Sequence, residues 1–308
     1  LSTYLLKKNT IPFEKRSTQG TLFPIFSTMS GYKFLLYILI IFFVFPIYPE
    51  NHWDQYIHEK KINSTYHIFG DNVNIRDSNN INAKVLKKLS IGDSVKILTK
   101  TNQILEQNSV KEYWYEVQSG KDIGYVWGGL LSDYSFEWND KIILCRNLGI
   151  QLGKLELKLI QNNQLLANGT WTVGPISNEG WDHNIYQPSS FSPSPVAVFG
   201  LRYFIFSEIE YGYTNEQIFT IDKDSKFVSQ FSWNPGACDP PSCAESWLVF
   251  PNENLIADKK INRKVTKGKP NTIIELTHSF EIDDESSHEY YQSEYNWNGT
   301  IFQKKENQ

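Results

Sequence analysis

Asp71-Asn-Val-Asn-Ile-Arg-Asp-Ser78, Lys84-Val-Leu-Lys-Lys-Leu-Ser-Ile-Gly-Asp93 and Gly124-Tyr-Val-Trp-Gly-Gly-Leu-Leu-Ser132 are the segments on which the fold of this 308-residue chain turns. Val73 and Ile75 alternate with polar neighbours, as do Val95 and Ile97, which is the two-residue period of a half-buried strand. Ile91-Gly-Asp93 supplies a turn and Tyr113-Trp-Tyr-Glu-Val117 a further strand. Gly120 and Gly124 mark a hairpin that leads into Tyr125-Val-Trp127. Between Tyr66 and Ser132 the chain therefore reads as a small β-barrel.

The order of these pieces resembles the bacterial SH3 domain family: a Val-Asn-Ile-Arg strand, a polar loop, a strand ending in Ile-Gly-Asp, a Trp-Tyr-x-Val strand, then Gly-Tyr-Val and a terminal turn. The resemblance covers residues 66–132, a minority of the chain. It implies a module that binds rather than catalyses, with a groove lined by aromatic and polar loop residues in those members that recognise cell-wall peptides. By the same resemblance Arg76 and Asp77 border that groove, and Trp114 and Trp127 are its aromatic candidates. In so small a domain the same two rings also suit the core, where a few large side chains supply much of the apolar burial. One departure stands out: Thr101–Glu112 intervenes where the family has a short connection. It reads as a long polar loop, either a tolerated surface insertion or one wall of a binding groove.

The one methionine, Met29, stands directly before Lys33 and the apolar run Phe34–Phe45, which Pro46 ends. A positive residue, a short apolar core and a polar continuation have the layout of a signal peptide, and the run falls short of the roughly 20 residues that span a bilayer. Residues 1–28 then read as an upstream extension and 29–50 as a signal peptide or N-terminal anchor. No Ala-x-Ala precedes Glu50 and no cysteine closely follows the run, so residues 33–48 leave an uncleaved anchor open. The expected address is outside the cytoplasm, in the periplasm or at the cell surface. Five basic residues against Glu14 and Glu50 put the first fifty residues at +3; with −4 for the whole chain, residues 51–308 carry −7. An acidic body argues against nucleic acid as a partner.

Residues 51–65 read as a linker or leading arm, and 133–308 as a second β-rich domain of no family we recognise. Apolar residues make up 40% of the chain and aromatics 15%, which excludes global disorder and favours strands. Trp138-Asn-Asp140, Gln161-Asn-Asn-Gln164, Asp222-Lys-Asp-Ser225 and Trp297-Asn-Gly299 each separate strand-like runs. Val196–Phe206, apolar almost throughout, suits a central strand pair buried on both faces, and Thr272–Phe280 an outer strand. Phe136-Glu-Trp-Asn, Phe231-Ser-Trp-Asn and Tyr295-Asn-Trp-Asn echo one another at unequal spacing. The fold class expected is all-β: a small SH3-type barrel followed by a larger β-sandwich or meander, with a small propeller-like array as the alternative.

Cys238-Asp-Pro-Pro-Ser-Cys243 brackets a turn, and a local disulfide is expected there after export. Free thiols are the alternative; a metal would want further thiolates or a nearby histidine, and none lies between His183 and His278. Cys145 reads as a core thiol. Asp222-Lys-Asp-Ser and Asp283-Asp-Glu-Ser lack the spaced ligands and closing glutamate of a calcium loop. No cofactor is expected. The chain has no Gly-rich phosphate loop, His-Glu-x-x-His or Gly-x-Ser-x-Gly, and Asp182 and His183, adjacent on a strand, would face opposite sides. The run Lys259–Lys269 reads as a solvated hairpin or a contact for anionic surfaces.

These readings point to an exported, non-catalytic bacterial protein whose partner is peptidoglycan peptide or an envelope protein. Contact with the membrane is expected only through an uncleaved N-terminal segment. The alternatives are an envelope hydrolase whose C-terminal domain carries His183, His278 or His288, and a structural or interaction subunit of an envelope complex.

Overall fold

A computed structural model describes residues 57, 59–148, 153–177, 180–205, 212–257, 264–282 and 284–305. The readings placed on the upstream extension and the signal segment lie outside these residues. Among the described residues no helix is long and apolar enough to cross a membrane.

The protein is all-β. Its first sheet joins β1 (Thr65–His67), β2 (Val73–Arg76), β3 (Val85–Leu89), β4 (Ser94–Gln107), β5 (Val110–Ser119) and β6 (Asp122–Trp127) in the order β1-β4-β5-β6-β2-β3. Every pairing is antiparallel. Alternation does what the sequence promised: Val73, Ile75, Val95, Ile97, Val117 and Val126 all point inward and are almost fully buried. A 3-10 turn, Gly128–Leu130, closes the barrel.

Thr101–Glu112 is not a loop. β4 runs on to Gln107, the chain reverses over Asn108 and Ser109, and β5 begins at Val110, so the insertion is a two-stranded ribbon with Gln107 paired to Val110. Asn108 and Ser109 both have positive φ, 52° and 63°, the backbone of a two-residue hairpin turn. Asn-Ser carries that signal more weakly than Asn-Gly, and the polar composition hid the strands. Register shifts between Ile97 and Thr99 and between Lys100 and Ile104 bend the ribbon out of the barrel wall.

Three further antiparallel sheets follow. The second is the meander β7 (Tyr134–Trp138), β8 (Lys141–Asn147), β9 (Lys154–Gln161) and β10 (Gln164–Thr172). The third is the meander β11 (Asp182–Tyr186), β12 (Ala197–Ile205), β13 (Tyr213–Ile221) and β14 (Phe227–Trp233). The fourth orders β15 (Gly236–Asp239), β16 (Ser242–Val249), β19 (Thr272–Glu281), β20 (Asp284–Trp297) and β21 (Phe302–Lys304), with a separate hairpin of β17 (Asn254–Ala257) and β18 (Lys264–Lys267). All four anticipated turns fall between paired strands. The three Trp-Asn echoes end β7, β14 and β20, one in each sheet, and bury Trp138, Trp233 and Trp297.

These sheets stack face to face in chain order. Phe69 and Ile91 of the barrel pack on Leu144 and Ile160 of the second sheet. The opposite face of that sheet, with Ile143 and Leu157, meets Phe199 and Phe219 of the third. Val198 and Ile218, on the other side of the third sheet, meet Ile273 and Tyr295 of the fourth. Burial on both faces explains the run at Val196–Phe206, apolar but for Gly200 and Arg202; its stretch Ala197–Ile205 is one strand, not a pair. Thr272–Phe280, expected to be an outer strand, lies in β19, the middle strand of the last sheet.

A carboxylate lies inside this stack. Glu216, fully buried on β13, accepts hydrogen bonds from Arg202 Nη2 at 2.9 Å, Tyr186 OH at 2.7 Å and Asn184 Nδ2 at 3.1 Å. Gly200, on the neighbouring strand β12 two residues before Arg202, the register partner of Glu216, leaves the space for it: a Cβ there would stand 1.9 Å from Glu216 Oε1.

Candidate binding groove

Tyr115 and Val126 point into the barrel, so Trp114 and Trp127, their neighbours on β5 and β6, point outward. The two indoles are cross-strand partners. They are nonetheless only 4% and 5% exposed, because the β4–β5 ribbon and the 3-10 turn fold over them. Trp127 Nε1 donates to the carbonyls of Leu105, on the ribbon, and Glu112, at 3.1 and 3.2 Å. Gly129 lies flat on the Trp127 ring, where a Cβ would come within 2.4 Å of the indole. The alternatives left open for these rings, core or groove, resolve as neither alone: they belong to no barrel core cluster, yet they are buried.

Between the ribbon and β2 lies a cavity of about 160 Å³, lined by Trp114, Trp127, Leu105, Gln107, Leu130, Ile81 and the run Asp71–Asn74 with Arg76. It brings together three of the four expected binding residues. Asp77 is not in the lining; it turns away with the β2–β3 connection, where its N–H donates to Lys84 O. Arg76 is half-buried and anchored, Nη1 donating to Ala83 O at 2.7 Å. Along β2 the residues facing the cavity are Asn72, Asn74 and Arg76, the polar set left over when Val73 and Ile75 face the core. The buried Oδ1 of Asn74 has no hydrogen-bond partner among the described residues. Sequence reasoning passed over Asn74 and Leu105. Alternation could have found Asn74; Leu105 needed the fold of the ribbon.

Behind the groove wall sits a buried charge cluster that no motif announced. Lys60, from the leading arm, pairs with Asp133 and stands 3.7 Å from Glu112, and all three side chains are under 10% exposed. Its backbone N–H donates to Tyr115 OH at 2.9 Å, tying the arm to the barrel. Burial alone would push the Lys60 ammonium down, but the Asp133 and Glu112 carboxylates outweigh it and hold the ammonium above its ordinary value. Burial pushes the Glu112 carboxyl up to about 7 against the pull of Lys60. Glu112 lies directly under the turn that carries Leu130, since a Cβ on Gly128 would meet its Oε2 at 2.9 Å.

The other candidates lie elsewhere. Cys238 and Cys243 face each other on β15 and β16 and form a disulfide, and Cys145 is a buried free thiol. His183 stacks on Phe136 and shares a 2.7 Å hydrogen bond with Tyr134 OH; the Asp182 carboxylate bonds the His183 backbone N–H, not its ring. Desolvation holds the His183 imidazole below its usual pKa. His278 Nε2 and His288 Nδ1 are 2.7 Å apart in a stack with Phe280 and Tyr290. Asp222 Oδ1 caps its own turn, accepting from the N–H groups of Asp224 and Lys226. The side chains of the Asp283–Ser286 stretch and most of Lys259–Lys264 lie outside the described residues; Lys264–Lys267 is hairpin strand. Among the described residues no three His, Cys, Asp or Glu side chains gather closely enough to hold a metal ion.

Comparison with protein-family models, curated proteins and solved structures found no match.

Proposed function

We propose that the chain is an exported, non-catalytic bacterial envelope protein whose barrel, of the bacterial SH3 type, holds a ligand in the groove beneath the β4–β5 ribbon. The observation that carries this reading is the groove itself: two outward indoles, Arg76 and a row of polar β2 residues around one cavity. Pockets that mix apolar walls with a few fixed polar groups are the usual form of a ligand site. At 160 Å³ the cavity admits about one residue of a peptide at a time. Peptidoglycan peptide or a short segment of an envelope protein fits that size. The three stacked sheets then serve as the body that carries the barrel, and the N-terminal segment as the export signal or anchor.

Retention on purified sacculi tests this reading. The purified full chain is expected to sediment with sacculi at low and moderate salt, and Trp114→Ala to lower retention by about tenfold, the usual scale for a buried aromatic anchor. Circular dichroism checks that the variant keeps its fold. A chain that stays in the supernatant at all salt concentrations sinks the envelope-binding reading.

A further inference from the structure

Resting on the reading of the groove as the binding site, we propose that its ligand presents a primary ammonium group, received at the Asp71–Asn74 end. Three observations converge on this. Asn74 Oδ1 is a buried acceptor in the lining with no partner among the described residues, and Lys88, opposite it in the β2–β3 pair, does not supply one. A buried acceptor left unpaired is costly, so an incoming N–H donor restores a bond the free protein lacks.

Three residues before Asn74, the lining carries its one carboxylate. Among the described residues Asp71 Oδ2 accepts from the Asn72 amide alone, at 2.9 Å, and its side chain is exposed, so it keeps room for a cation. The walls facing these acceptors include the indoles of Trp114 and Trp127, and aromatic surface next to a carboxylate favours a desolvated cation.

The one cation of the lining is held away from that end. Arg76 lies two residues along β2 from Asn74, about 7 Å by strand geometry, and its guanidinium is tied to Ala83 O. The groove therefore has an acceptor end and a donor end about two extended residues apart. An ammonium with three donors can serve Asn74 Oδ1 and Asp71 at once, leaving a ligand carbonyl or carboxylate for Arg76. A neutral amide N–H can serve Asn74 but gains nothing from Asp71.

The probes are two capped tripeptides, acetyl-Ala-Lys-Ala-amide and the same peptide acetylated at the lysine Nε, titrated into the full chain while the indole N–H signals of Trp114 and Trp127 are followed by NMR. The free-amine peptide is expected to shift both signals and to bind about tenfold tighter than the acetylated one, as a charge-assisted bond exceeds a neutral one. Asp71→Asn and Asn74→Leu should each erase most of that difference. Asn74→Asp should widen it, and as a near-isosteric change it keeps the inference testable if Asn74→Leu fails to fold. Equal binding of the two peptides, or no shift with either, overturns the inference. Sacculi treated with acetic anhydride separate this from the broader reading. If native and N-acetylated sacculi retain the chain equally, envelope binding stands and ammonium recognition falls. If neither retains it while the free-amine peptide still binds, ammonium recognition stands and the envelope reading falls.

Discussion

Gly200→Ala is expected to destabilise the protein by about 3–5 kcal/mol, the range for breaking a buried charge network. The new methyl would occupy the place of Glu216 Oε1, 1.9 Å away, and Glu216 has nowhere to retreat. It is fully buried at the centre of the third sheet, with Val198 and Ile218 beside it packed against the fourth. Swinging the carboxylate aside would strip Tyr186, Asn184 and Arg202 of their acceptor at once. Arg202 would keep only the 3.8 Å contact with exposed Asp182. Urea unfolding of both variants and their combination checks this. Glu216→Ala removes the collision, so Gly200→Ala should cost far less on that background, a coupling that a double-mutant cycle reads directly. A Gly200→Ala protein within about 0.5 kcal/mol of wild type would show that the network can rearrange freely.

The second large effect belongs to the cluster behind the groove. Lys60→Met is expected to cost about 3–5 kcal/mol near pH 8, since it leaves Asp133 and Glu112 buried without their cation. The wild-type cluster has its own pH signature. The Glu112 carboxyl titrates near 7 when folded and near 4.5 when not, so the folded state holds this proton more tightly. Its contribution is therefore complete below about 4.5 and is lost as pH climbs to about 7, a decline on the order of 3 kcal/mol. Glu112→Gln, a neutral stand-in for the protonated acid, should match wild type in stability near pH 5 and exceed it near pH 8. Parallel stability curves for the two proteins from pH 5 to 8 would mean that Glu112 is not held in this way. Because Glu112 O accepts the Trp127 indole N–H and its carboxyl supports the turn bearing Leu130, the same titration bears on the groove wall.

Several features were legible in the sequence because their causes are local. Asn139 and the Asn162–Asn163 pair, all in the left-handed region, mark the hairpins of the second sheet as their side-chain chemistry implies. Alternation placed Val73, Ile75, Val95 and Ile97 in the barrel core, and the apolar run Val196–Phe206 announced burial on both faces, though of one strand and not the pair expected. The cysteines of Cys238-Asp-Pro-Pro-Ser-Cys243 met across the turn that separates them. Arg76, Trp114 and Trp127, each named from the sequence, line one cavity.

What was missed depends on distant parts of the chain. The ribbon at 101–112 looked like a polar loop because its strands are exposed and its turn signal is modest. Its function as the lid over two indoles exists only once β4 and β5 pair. Lys60 sits in a stretch with no pattern and becomes a core residue through Asp133 and Glu112, 73 and 52 positions away in the numbering. Glu216 and Gly200 read as ordinary strand residues until β12 and β13 pair and bring the carboxylate over the glycine.

The sequence alone therefore determined the all-β class, the inward-facing positions of the first sheet and the turns, since periodicity and turn chemistry act over a few residues. Only the tertiary structure decided that Trp114 and Trp127 are outward yet covered, that Asn74 faces a cavity with an unused acceptor, and that Lys60, Glu112 and Asp133 share one buried site. The reason is physical. Alternation assigns a side chain to one face of a sheet, but whether that face meets solvent, a ribbon or another sheet depends on which distant segments pay the entropy of coming together.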